Sequence, residues 1–108
     1  MASPKIKVTC AWCGEAFQPT HHLQLYCCAD HQTANANLEK VRGRAAVKLI
    51  QAWRLSRNTR NPTARKVGAD ALSSLCTLAD RWCAEDREAG RMSALQYVQR
   101  AAALEVRR

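Results

Sequence analysis

The sequence predicts a mainly α protein in which a small Cys/His knuckle leads into about three helices. Three observations predict it. Two Cys/His ligand pairs, Cys10 with Cys13 and Cys27 with His31, fall within residues 10 to 31, apolar residues recur at helical spacing from residue 34 onward, and cap residues punctuate that second stretch. At 108 residues the chain is most simply one domain, since two independent cores of half that size would each be marginal. It divides into a module at 10–31, a basic amphipathic helix at 32–60 and a two-helix part at 61–108.

In chain order, Ile6-Lys7-Val8-Thr9 reads as a short extended piece. From Cys10 to Tyr26, Gly14, Pro19, Thr20 and the His21-His22 pair predict turns and a short hairpin. The first helix starts between Cys28 and Asp30 and runs to about Arg57, with Ala34, Leu38, Val41, Ala45, Leu49 and Ala52 on its packing face. Lys40, Arg44, Lys48 and Arg54 make a separate stripe, and Gly43 weakens the interior by roughly 1 kcal/mol relative to Ala.

Residues 56 to 62 break the pattern, with Asn61 as an N-cap and Pro62 at the first helical position. The second helix reaches about Ala89, using Ala64, Val67, Ala71, Leu75, Leu78, Ala79, Trp82 and Cys83, and Gly90 closes it. Ser93 with Gln96 forms a capping box for a third helix ending near Val106, whose contacts are Leu95, Val98, Ala102 and Leu104.

The formal charge is +8 and unevenly spread. Between Glu39 and Asp70 there is no acidic residue but nine basic ones: Lys40, Arg42, Arg44, Lys48, Arg54, Arg57, Arg60, Arg65 and Lys66. Such a run predicts a polyanion as partner. No long apolar run follows Lys5 and Lys7, so the expectation is a soluble, intracellular protein. In a reducing compartment the six cysteines point to metal ligation before disulfides.

Spacing makes that concrete. Cys10-x2-Cys13 and Cys27-x3-His31 are two ligand pairs that one tetrahedral ion can gather: a tight turn at Gly14 aligns the first, and positions i and i+4 of a starting helix align the second. Three thiolates and one imidazole suit a structural Zn²⁺ with no open position. Cys28-x2-His31 is also feasible, although the i, i+4 relation favours Cys27. His21 and His22 read as loop histidines more readily than as ligands, and Cys76 and Cys83 as core residues. The module has few apolar side chains, chiefly Val8, Trp12, Phe17, Leu23, Leu25 and Tyr26. Metal must therefore supply most of its order, and structural zinc contributes about 10 to 16 kcal/mol in comparable peptides.

Cys10-x2-Cys13-x3-Phe17-x-Pro19 followed by Gln24, Tyr26-Cys27-Cys28 and His31 resembles the N-terminal zinc module of the phage NinG (Rap) recombination proteins. More loosely, it is similar to treble-clef fingers of other phage and bacterial proteins. The resemblance covers about a fifth of the chain. It implies a treble-clef-like knuckle and helix and a phage or prophage origin concerned with DNA. It does not imply that family's nuclease activity, because residues 32 to 108 lack histidine and any Cys-x2-Cys.

The sequence thus predicts a non-enzymatic, phage-derived accessory protein in the host cytoplasm, binding DNA more readily than RNA through phosphates. The alternative is an interaction module that docks on a host or phage complex such as RNA polymerase or a defence complex, or that pairs as a homodimer through the second helix. The acidic cluster Asp80, Glu85, Asp86 and Glu88 reads as a solvated face, and Trp53 and Trp82 as packing residues, with Trp12 the most exposed of the three tryptophans.

Overall fold

The computed structural model describes residues 7–21 and 24–106. Ile6, His22 and Leu23 lie outside the described residues, as does the side chain of Leu104. Strands β1 (Val8–Thr9) and β2 (Ala16–Phe17) form an antiparallel pair with Val8 opposite Phe17. Helices α1 (Ala29–Ser56), α2 (Pro62–Glu88) and α3 (Ala94–Val106) follow. The architecture is the predicted one, mainly helical with an N-terminal knuckle.

Local chemistry sets the helix ends. The Asn61 carboxamide oxygen accepts from the amides of Thr63 and Ala64, at 2.9 and 3.3 Å, so α2 starts at Pro62, whose missing N–H costs nothing there. At its far end Gly90 takes φ +73°. The Gly90 amide then reaches the Arg87 carbonyl at 3.2 Å and the Arg91 amide the Asp86 carbonyl at 2.8 Å, a Schellman closure. Ser93 Oγ accepts from the Gln96 amide at 3.2 Å to start α3. The Gln96 side chain meets that hydroxyl, rather than the Ser93 amide that a capping box would use.

The backbone contacts cluster into two units. One contains residues up to Ala36 together with Cys83 onward; the other is Asn37–Trp82. In the second, α1 and α2 form an antiparallel hairpin: Arg42 stacks on Trp82 at one end, and Gly68 abuts Ser56 at the other. A side chain on Gly68 would collide with Ser56, so the two backbones approach as closely as glycine permits. Ala46, Gly68 and Ala71 are the buried residues of this unit among those described.

The packing faces match periodicity in part: Ala34, Leu38, Leu49 and Ala52 of α1 and Ala64, Ala71, Leu75, Leu78 and Trp82 of α2 are half-buried or buried as expected, and the other predicted positions of these two helices are exposed. On α1 the inward line is Leu38, Arg42, Ala46, Leu49, Trp53 and Ser56, while Val41 is 64% exposed and Ala45 is exposed. An alanine-rich helix carries apolar residues on several sides, and the large Trp53 rotates the contact line onto its own side. On α2, Gly68 takes the place expected of Val67, and Ala79 is exposed. Cys76 and Cys83 are exposed too, each one position past an inward residue, Leu75 and Trp82. On α3, Leu95 and Val98 are 76% and 64% exposed and Ala102 is exposed; Tyr97, Arg100 and Ala101 are the half-buried residues instead.

Candidate metal centre

The chain turns sharply after β1. The Gly14 amide donates to the Cys10 carbonyl at 3.0 Å, with Gly14 at φ +77°, a conformation that favours glycine, and the Cys10 amide donates to the Glu15 carbonyl at 2.9 Å. This turn sets Cys10 and Cys13 side by side. The Ala11 amide donates to the Leu25 carbonyl at 2.9 Å, which draws the segment before α1 against the turn. Cys27 then precedes α1, and His31 lies in its first turn.

The ligand atoms of Cys10, Cys13, Cys27 and His31 all lie within 4.8 Å of one another. Cys27 Sγ is 3.1 Å from His31 Nδ1 and 3.9 Å from Cys13 Sγ; Cys10 Sγ is 3.9 Å from the same imidazole nitrogen. A tetrahedral ion with bonds of about 2.0 to 2.3 Å separates its ligands by roughly 3.3 to 3.8 Å, so these four side chains are close enough to hold one metal ion. The Cys27 amide also donates to Cys10 Sγ at 3.3 Å, the kind of outer contact that orients a ligand. Cys28 is exposed, with its sulfur 3.9 Å from that of Cys27, and neither it nor His21 joins the cluster. Of the two thiols before His31, the cluster takes Cys27.

Electrostatics polarise the pair of buried-side sulfurs. Desolvation pushes the Cys10 thiol up, but hydrogen bonds from the backbone at Cys13, Cys27 and Trp12 and from the His31 side chain outweigh it and bring it down to about 6. Desolvation, then the crowding of Cys10, Cys13 and Cys28, pushes Cys27 up to about 12. A bound cation would offset the repulsion that ionising Cys27 beside Cys10 entails.

Residues that pattern reading did not single out surround this cluster. Arg91 stacks over Trp12 at 5.1 Å and pairs with Asp86 at 2.8 Å, which corrects two expectations: Trp12 is half-buried with an arginine over its face, and Asp86, expected on a solvated face, is half-buried in the pair. The Met92 amide donates to the Ala11 carbonyl at 3.1 Å. Arg100 donates to the carbonyls of Thr9 and Gln24, both at 2.7 Å. These long-range backbone contacts leave no periodic signature in a sequence.

All nine basic candidates fall in the hairpin unit. Lys40, Arg44 and Lys48 are exposed at successive i, i+4 positions of α1, and Arg54 extends their row on the side opposite the inward line. None of these four joins an ion pair among the described residues. Arg57, Arg60 and Arg65 are exposed as well, Arg57 lying 5.4 Å over Trp53. Lys66 pairs with Asp70 at 3.2 Å, an exposed i, i+4 bridge of little energetic weight. Arg42 is the exception to the expected surface: half-buried, it stacks 5.6 Å over Trp82 and donates to the Trp82 carbonyl at 3.5 Å, so packing takes up its guanidinium. Among the described residues no helix is long and apolar enough to cross a membrane. Compared with known proteins, the chain matches no family model, no curated protein and no solved structure.

Proposed function

We propose that this chain is a non-enzymatic nucleic-acid-binding accessory protein of phage or prophage origin, serving recombination, replication or transcription in the host cytoplasm. In this reading the Cys/His cluster holds one structural Zn²⁺, which closes the knuckle in a treble-clef-like manner and has no open position for chemistry. The hairpin unit meets DNA, more readily than RNA, through phosphates. One observation carries the reading: Lys40, Arg44, Lys48 and Arg54 form an exposed row on one side of one helix, with no acidic residue between Glu39 and Asp70 to offset them. The resemblance of the knuckle to a phage recombination protein supports the origin and the DNA connection.

If the row makes four phosphate contacts, affinity for duplex DNA falls with a log–log salt slope of about −3.6, or roughly a hundredfold between 50 and 200 mM salt. Fluorescence anisotropy with labelled duplexes measures it. Replacing Arg44 and Lys48 together by Ala reduces the slope by about 2 and weakens all sequences alike. A salt-independent affinity, or a double variant that binds as the parent does, contradicts the reading.

The exposed Leu95 and Val98 on α3 favour a second reading, an adaptor docking on a host or phage protein. Retention of a purified candidate partner after nuclease treatment, with no DNA binding by the chain alone, selects it.

A further inference from the structure

Helix α3 and the α2–α3 corner rest on the knuckle through backbone carbonyls. The Ala11 carbonyl accepts from the Met92 amide at 3.1 Å, and those of Thr9 and Gln24 accept from one guanidinium, that of Arg100, at 2.7 Å each. Thr9 and Ala11 flank Cys10, and Gln24 stands three residues before Cys27, so every acceptor is close in the chain to a residue of the metal cluster. The corner also lays Arg91 over Trp12, with the Arg91–Asp86 pair 16% and 14% exposed, and brings the Gly90 carbonyl so near Gly14 that no side chain fits between them.

A forked guanidinium holds two carbonyls only while both stay at a fixed separation, and here they come from different segments, the end of β1 and the approach to α1. Cys10 and Ala11 are the buried residues of the knuckle among those described. Little apolar packing would preserve that separation once the four ligands part. Among the described side chains of α3, Leu95 and Val98 are exposed and Tyr97, Arg100 and Ala101 are half-buried.

We infer that the metal centre is a conformational switch for α3: the bound ion holds the Thr9, Ala11 and Gln24 carbonyls in the register that Arg100 and Met92 engage, and its loss releases the C-terminal helix. This rests on the reading of the cluster as a zinc centre. Arg100 is the positioning residue that transmits occupancy, and the α1–α2 hairpin, with its own contacts at Gly68 and Arg42, stays outside the switch.

Hydrogen exchange read by mass spectrometry on the full chain tests this, comparing Zn²⁺-loaded protein with protein stripped by a chelator under reductant. The expected result is a loss of protection of about tenfold or more in residues 94–106 on stripping, with residues 40–80 changed by less than about twofold. Arg100→Ala is expected to keep one zinc per chain and yet show the same loss in α3. Unchanged exchange in α3 on stripping, equal loss in both regions, or an α3 unaffected by Arg100→Ala each overturns the inference while the metal reading stands. A chain that takes up no zinc overturns both.

Discussion

The two units solve the same problem, ordering a small piece of chain, by different means. Asn37–Trp82 carries a net charge of +7, nearly all of the total, on a hairpin whose contacts are close backbone approach and stacked side chains. The other unit has a net charge of +1, becoming neutral once three thiolates and one divalent ion are counted, and is ordered around ligands and hydrogen-bonded carbonyls. The difference teaches where each unit is vulnerable. Changes of side-chain volume act on the hairpin, whereas protons and chelators would act on the unit that carries the Cys/His cluster.

Acid gives the largest effect and sharpens the contrast. In the metal-free chain Cys10 is a thiolate above about 6, whereas Cys27, pushed up to about 12, still holds its proton at neutral pH and must lose it to the ion. Metal uptake therefore releases at least that proton, and affinity rises by at least about tenfold per pH unit between pH 6.5 and 8.5. For the sign, binding to the deprotonated set is stronger at high pH and is lost as pH falls; Cys10 adds to the loss once pH passes below about 6. Competition with a chromophoric chelator measures it. A flat profile would break the contrast.

Gly68→Ala probes the other unit. The added methyl meets Ser56, and the displacement costs about 1 to 3 kcal/mol of hairpin stability, seen as a lower urea midpoint with metal affinity unchanged. Gly43→Ala has the smallest effect and the opposite sign: nothing lies within 4 Å of the new methyl, so the helix gains about 1 kcal/mol. Equal effects of the two substitutions would mean that the close approach at Gly68 has no energetic weight.

Much of this was legible from the residues, for reasons specific to each element. Asn61-Pro62, Gly90 and Ser93 mark helix ends because caps act through nearest backbone groups, and the helices begin and end within a residue or two of the expected places. Cys-x2-Cys and Cys-x3-His were readable because ligand spacing follows local turn geometry, which also favoured Cys27 over Cys28. The contact lines of α1 and α2 were legible only in part, and that of α3 was not. Ala45 and Ala46 are chemically alike, and only the placement of Trp53 and Gly68 decides which of them turns inward. The same holds for Arg42, a surface cation by composition that packing claims for Trp82, and for Arg100, whose partners lie more than seventy residues away.

The central claim is that one ion, held by Cys10, Cys13, Cys27 and His31, orders the amino-terminal unit. Native mass spectrometry of chain purified without chelator tests it most directly, with Cys27→Ser and Cys28→Ser side by side. The account predicts one zinc per chain in the parent and in Cys28→Ser, and loss of stoichiometric zinc in Cys27→Ser. A metal-free parent, or loss in Cys28→Ser with retention in Cys27→Ser, would contradict it.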